Sequence, residues 1–400
     1  MTCSADVLEQ TAKGLHTFCL DLQSDRRRWE AFIASHPDAV VYHHPTWLTA
    51  LEREYGQKCV SLACEDSSGE LRAVLPLFLT KGLPFGVGRH ATGRRLSSLP
   101  RTPIAGPVAK DPDAAIEILR AAIEYARAQH AQLEIKTRLE GLELLVQELV
   151  CLPWRFTHVA QLPPPSDGIP WEEFCEHGRL IRECGVCEDC TRLRFGNARK
   201  QHRVKWAANK ALRSGLRVRY AEDERDLKEW YPLYLQTLQP NAVPPRPYRF
   251  FATLWSTMRP AGMMRFAVAE QQTEQGTRMV AGSILLGFGQ TEFYSFTGCA
   301  PADFGLHPHD IIQLDSIRAA CKAGFRWYDF GEVPEEHEEL NQFKGKWGTE
   351  PKRLYRYYYP NAPAASSEKP GRLTTGARKL WRKLPLRATE ALGDLLYRYM

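Results

Sequence analysis

No run of about 18 apolar residues occurs anywhere in the 400 residues, so no segment is expected to cross a bilayer as a helix. The first residues also lack a basic stretch followed by an apolar one, the layout of a secretory leader. These two absences put the expected location in the cytoplasm, where thiols stay reduced. The 11 cysteines are then mostly small buried hydrophobes. No serine or cysteine sits in a recognisable nucleophile setting, so no covalent enzyme intermediate is implied. Acid is missing from one long stretch: Asp and Glu are absent from Arg192 to Arg219. The net charge of +6 is modest, but that gap shows how unevenly it is spread.

What is present describes a globular protein. The sequence is 44% hydrophobic and 25% charged, an ordinary balance. Its length calls for two domains and a short extra piece, because single cores rarely grow past about 250–300 residues. The expected division is 17–161 for a first domain and 162–191 for a linker with a cysteine-rich insertion. A second domain follows at 192–360, then a flexible linker and a basic amphipathic segment at 361–400.

In the first domain, helices are expected over Arg26–Ser35, Thr46–Tyr55, Ala114–Gln129 and Glu140–Val150. Strands are expected at Val40–Tyr42, Gln132–Lys136 and Phe156–Gln161, with a hairpin of Cys59–Glu65 and Leu71–Leu79 closed by Asp66-Ser67-Ser68-Gly69. Residues 81–107, rich in Gly, Pro, Ser and Arg, are irregular and long enough to line a cleft. The second domain is expected to follow a similar order, with helices at Glu224–Leu238 and Tyr248–Met258, then strands at Met264–Glu270, Met279–Gly287 and Gln290–Thr297. Both halves read as α/β or α+β, mixed sheets flanked by helices.

The stretch from Ser295 to Gly348 organises the whole. A strand runs into a Gly/Pro/Asp loop, and a helix follows from about Pro308 to Ala323 with Ile311, Leu314, Ile317 and Cys321 on one face. Gly324 stops it. A short strand, Trp327–Phe330, exits at Asp329 and Gly331 and is followed by a loop, Phe343-Lys344-Gly345-Lys346-Trp347-Gly348. A strand–helix–strand unit with charges and glycines at the strand exits is where α/β proteins place ligands. Tyr294, Lys346 and Trp347 are therefore candidate substrate contacts. Asp329 is a candidate proton acceptor or, equally, a residue that caps a turn.

Two further features stand out. Cys184, Cys187 and Cys190 are spaced C-x2-C-x2-C, with Cys175 and His177 upstream; together they offer soft ligands for zinc or an iron–sulfur cluster, or form an insertion that binds nothing. The basic helix expected at Asn197–Ser214 carries Arg199, Lys200, Arg203, Lys205, Lys210 and Arg213. It reads as a phosphate or RNA contact, or as a solvated face. Beyond residue 370, Leu380, Trp381, Leu384, Leu392, Leu395, Leu396 and Tyr399 with flanking Arg378, Lys379, Arg382, Lys383 and Arg387 suit a membrane surface or a helix docked on the protein itself.

Taken together, KALRSGLRV, the run YSFTGCA to HDIIQLDSIRAACKAGFRWYDFGE, and FKGKWGTEP resemble the FemAB-related branch of the GNAT acyltransferases. HPDAVVYHHPTWLTAL and LPLFL resemble the entry to that family's first domain. The resemblance spans roughly residues 20 to 360 and implies tandem GNAT-like domains. It also implies a transferase acting on an amine or hydroxyl of a bacterial cell-envelope or exopolysaccharide precursor, with a small-molecule or lipid-linked saccharide or peptide as partner. By the same resemblance, FKGKWG matches a Phe-Lys-x-x-Phe-Gly loop with Trp347 in the second aromatic place. Lys344 beside Phe343 then stabilises a developing oxyanion, and Arg203 and Lys210 meet the acceptor's phosphates. The glycine loop that holds the pyrophosphate in acetyl-CoA-using members, Arg/Gln-x-x-Gly-x-Gly/Ala, is absent; Leu83-Pro84-Phe85-Gly86-Val87-Gly88 lacks its spacing. The acyl donor stays open between acetyl-CoA and charged tRNA. An RNA-binding protein and a non-catalytic scaffold on the same fold remain the alternatives.

Overall fold

The structure, a computed structural model, describes residues 14–80, 94–99, 102–162, 195–363 and 372–399. The expected metal ligands Cys175, Cys184, Cys187 and Cys190 lie outside them, as do most of the 162–191 linker and of the 361–370 segment. Among the described residues, no group of three or more His, Cys, Asp or Glu is arranged to hold a metal. No described helix is long and apolar enough to cross a membrane. Cys59, Cys64, Cys151, Cys299 and Cys321 are free thiols, whereas Cys19 is disulfide-bonded, against the expectation of reduced cysteines throughout.

The chain forms two compact units. The first begins with strand β1 (Leu15–Cys19), helices α1 (Arg26–Ser35) and α2 (Pro45–Tyr55), and strands β2 (Cys59–Asp66), β3 (Leu71–Thr80), β4 (Arg94–Ser97) and β5 (Val108–Ala109). Helix α3 (Pro112–Ala128), strand β6 (Ala131–Thr137), the single helical turn α4 (Leu142–Leu145) and strand β7 (Val150–Gln161) follow. Two expectations need correcting. The strand expected at Val40–Tyr42 is replaced by a buried 3-10 turn, Val41–His43, held by Val40 N–H on the His43 ring. The helix expected at Glu140–Val150 shrinks to one turn.

The second unit contains α5 (Ala198–Arg213), β8 (Leu216–Tyr220), α6 (Glu224–Leu238), α7 (Tyr248–Thr257), β9 (Met264–Thr273), β10 (Gly276–Phe288) and β11 (Thr291–Cys299). It continues through α8 (Pro308–Lys322), β12 (Trp327–Val333), α9 (Glu338–Gly345) and the first residues of β13 (Glu350–Tyr359), whose remainder belongs to the first unit; α10 (Arg372–Trp381) and α11 (Leu386–Tyr399) end the chain.

Each unit repeats one plan. In the first, β1, β2, β3 and β4 are neighbours and antiparallel, and β4 runs parallel to β6. In the second, β8, β9, β10 and β11 are antiparallel in order, and β11 runs parallel to β12. The expected mixed sheet flanked by helices is thus present in both. The closing strands were not anticipated. Residues 353–359 of β13, expected in the second domain, pair antiparallel with β6 and belong to the first unit. Residues 156–161 of β7 take the matching place beside β12.

Local chemistry explains the helices that matter. Asn197 caps α5 by accepting the Lys200 N–H at 3.0 Å, and its buried face is made of Val204, Ala207, Ala208 and Ala211. Small residues on that face let the helix lie close to α8. Helix α6 presses onto β10 and β11, where a methyl group on Gly298 would come within 2.5 Å of the Tyr234 nitrogen.

Candidate functional site

The parallel pairing of β11 with β12 covers only Thr291 to Phe293 against Trp327 to Asp329. Beyond it the strands part, and two irregularities account for this. On β11, Ser295 is extra relative to β10, where the register shifts between Ile284 and Leu285. On β12, the register against β7 shifts between Asp329 and Glu332, and Gly331 adopts φ of +79°, a conformation that glycine reaches without steric cost. Asp329 fixes this kink. Its Oδ1 accepts the Gly331 N–H at 2.7 Å and the Thr157 hydroxyl. It is 2% exposed, so the turn-capping alternative describes its geometry.

Lys344 enters the kink from α9. Its ammonium donates to the carbonyl of Gly331 at 2.9 Å and reaches that of Glu332 at 3.4 Å. An ammonium has three hydrogens, and among the described residues the third has no acceptor. A Cβ built on Gly331 would lie 3.9 Å from both this nitrogen and the Tyr294 carbonyl oxygen, which places the cation at the mouth of the parting strands. The side chain is only 6% exposed. Burial pushes its pKa down to about 8, against the pull of Asp329 and Glu332. Phe343, the preceding residue, is half-buried in the last turns of α9; FKGKWG is therefore a helix end and not the expected loop.

His158 on β7, which the sequence did not single out, supports this lysine. The Asn341 amide nitrogen donates to the carbonyls of Pro334 (3.1 Å), Glu335 (3.2 Å) and His337 (3.1 Å). Its oxygen must then face His158 Nε2 at 2.8 Å, so that nitrogen carries a proton. On the ring's other side Thr349 Oγ1 is 3.0 Å from Nδ1 and 3.1 Å from the Lys344 carbonyl oxygen. Burial, then the nearby Lys344 and Lys200, holds His158 below the usual histidine range although the Asn341 bond opposes them. Asn341 and Thr349 thus link this ring to both ends of the Lys344 turn.

Lys346 and Trp347 belong to the interior. Trp347 is 1% exposed, with its ring edge-on to Phe195 at 5.1 Å and near Phe330 at 6.2 Å. Lys346 pairs with Asp310, whose second oxygen takes His307 Nδ1 at 3.1 Å. Burial would raise the Asp310 pKa, but His307 and Lys346 hold it below the ordinary value. Asp310 sits in the first turn of α8, where its charge suits the helix dipole. The N–H groups of Asp310 and Ile311 are taken by the His307 carbonyl at 3.1 and 3.4 Å.

Tyr294 directs its hydroxyl away from Lys344's carbonyl cradle into a polar knot: Ser283 at 3.1 Å, Thr297 at 3.0 Å and His309 Nδ1 at 3.3 Å. Burial pushes His309 down to about 4, leaving a neutral ring. The basic helix α5 enters beside the Lys344 turn. A Cβ on Gly348, whose φ is +72°, would fall 2.6 Å from the Gly196 nitrogen. Gly348→Ala is accordingly expected to lower stability by about 2–3 kcal/mol, from backbone strain plus overpacking. A melting curve that does not move would show the approach to be looser than described. Farther along α5, Arg199 and Arg203 are exposed, and Lys210 Nζ lies 5.3 Å from the ring of Trp206, itself 49% exposed.

The structure thus gathers Lys344, Phe343, Asp329, Lys346 and Trp347 within a few turns of chain, and puts the exposed Arg199 and Arg203 and the half-buried Lys210 on one face of α5. His158, Asn341, Thr349 and Asp310 were missed, since no local spacing ties residues so distant in sequence.

Residues 196–343 match a family model described as an acetyltransferase (GNAT) domain. No curated protein matches the sequence. The fold is similar to the crystal structure of FemX, with a TM-score of 0.59 at 15% identity, covering 86% of this chain and 97% of that one. It is also similar to the C-terminal domain of a putative lysylphosphatidylglycerol synthetase from Agrobacterium fabrum, with a TM-score of 0.53 at 12% identity and coverage of 86% and 93%. A conserved protein of unknown function from Bacteroides thetaiotaomicron gives 0.53 at 11% identity, covering 86% and 98%. Identities this low show a shared fold.

Proposed function

We propose that this chain is an acyltransferase that moves an acyl or aminoacyl group onto an amine or hydroxyl of a bacterial cell-envelope precursor, a reading supported by the match of residues 196–343 to an acetyltransferase (GNAT) domain. The observation that carries this reading is the buried Lys344 ammonium, with one hydrogen lacking an acceptor among the described residues, at the point where β11 and β12 separate. The envelope acceptor is supported by the likeness to FemX and to a synthetase whose name describes a lysyl group joined to phosphatidylglycerol.

In a ternary complex the acceptor's nitrogen or oxygen attacks the donor carbonyl carbon. The carbonyl π electrons move onto oxygen, which receives the free Lys344 N–H. Collapse of the tetrahedral intermediate expels the donor's leaving group. The acceptor proton passes to a carboxylate or to a phosphate of the substrate itself, because Asp329 is engaged in holding the kink. A fixed cation in a water-poor cleft does the most for such an intermediate. Arg199, Arg203 and Lys210 would meet phosphates of the acceptor, with Trp206 offering a flat apolar face among them.

The test is direct. Purified protein is offered acetyl-CoA or aminoacyl-tRNA, each with nucleotide-linked and lipid-linked amine or hydroxyl acceptors, and products are weighed by mass spectrometry. An acceptor heavier by the acyl group, formed by the native protein and not by the Lys344→Met variant, is the expected result. Product formed equally by both would overturn the role of Lys344, and no product with any pair would overturn the choice of acceptor.

A further inference from the structure

The end of α10 and the start of α11 are joined to the second unit, yet Leu380, Leu392 and Leu395 of these helices are exposed. Gln239 Nε2 donates to the Leu384 carbonyl. Thr389 is buried at 1% exposure, so the segment is seated on the protein. Residues 376–380, more than a full helical turn, are nevertheless exposed on every side. Leu380 is 64% exposed, Leu395 53% and Leu392 40%.

The composition of this segment is one-sided. From Gly371 to Thr389 the sequence has Arg372, Arg378, Lys379, Arg382, Lys383 and Arg387 and no Asp or Glu. At 3.6 residues per turn, Ala377, Leu380 and Trp381 fall on one side of α10 and Arg378 and Lys379 on another, and Arg382 and Lys383 follow in the turn after the helix. Among the described residues none of these four cations has a carboxylate partner. An occupant must therefore be apolar at its surface and negatively charged just above it. A second copy of the chain would set these cations against identical ones, which opposes self-association.

We infer that the Ala377–Leu392 segment is a membrane-contact surface that lays the second unit on an anionic lipid bilayer. The leucines enter the boundary between headgroups and acyl chains, and the cations stay at the level of the lipid phosphates. The inference stands apart from the transfer reaction, since it rests on a different part of the chain.

Flotation of the full-length protein with vesicles tests it. Three proteins are compared on phosphatidylcholine vesicles and on vesicles containing phosphatidylglycerol: the native chain, Leu380→Glu with Leu392→Glu, and Lys379→Glu with Lys383→Glu. The native chain is expected to float with the anionic vesicles only. Each double variant should lose about tenfold or more in partitioning, and raised salt should release the native protein. The substituted leucines and lysines are exposed, so their variants should melt at the native temperature. No flotation, equal binding to uncharged vesicles, or a concentration-dependent dimer abolished by Leu380→Glu would each overturn the inference.

Discussion

Lys344→Met is expected to reduce transfer by about 10²–10³-fold, the loss typical of removing one donor from a developing oxyanion. The fold should survive, because methionine keeps most of the volume of a buried, unbranched side chain. Stability sharpens the test. The pKa of Lys344 falls from 10.5 to about 8 in the folded protein. Below pH 8 both folded and unfolded chains carry this proton, but the folded chain holds it about 3 kcal/mol less favourably. Between pH 8 and 10.5 the unfolded chain binds more protons, so the native protein gains stability as pH rises through that window. The methionine variant lacks that gain and should be no less stable than the native chain at pH 7. Transfer by the native protein should decline as pH passes about 8, where the ammonium is lost. A pH–rate profile flat from 7 to 10, or a methionine variant that turns over normally, would remove Lys344 from the mechanism.

Asp310→Asn should produce the largest loss of stability, about 3–5 kcal/mol. The substitution keeps the shape but strands the Lys346 ammonium in the interior and weakens the bond from His307. Replacing both partners, as Asp310→Asn with Lys346→Met, should recover much of that loss, since no unpaired charge then remains. Thermal melts of the two single variants and the double variant measure the coupling. Additive effects would mean that Asp310 and Lys346 act independently, contrary to the buried pair. The sign with pH follows from the depressed Asp310 pKa: its contribution is present above the ordinary carboxylate range and is lost as acid protonates it.

The sequence carried most of the secondary structure of the second unit because its signals are local. Asn197 and Asp223 cap α5 and α6, Gly324 ends α8, and β9 to β11 are long enough to be unmistakable. It carried Lys344 through a short motif read by resemblance. It failed where the information lies in contacts between distant residues. Trp347 looked like a ligand platform in its glycine-rich neighbourhood, yet it lies against Phe195 and Phe330, and nothing in FKGKWG reveals those rings. His158 appears in an ordinary strand sequence, and its meaning depends on Asn341 and Thr349, more than 180 residues away. Asp310 could be read as a helix-start acid, but not as the partner of a lysine on another element.

The exchange of closing strands constrains how the protein is made. Glu134 and Arg356 join the first unit's β6 to β13 across 222 residues of sequence. A ribosome delivers β1 to β6 long before it delivers that partner. Until then Leu133–Thr137 is an open edge, the kind of surface that pairs with other chains. Closing so long a loop costs entropy before the contact rewards it. Translation therefore imposes a nested order: the first unit starts earliest and finishes last, with the whole second unit threaded through the wait. A nascent chain halted at Lys352 would hold every residue of the Lys344 site and still leave the first unit without the strand that closes its sheet.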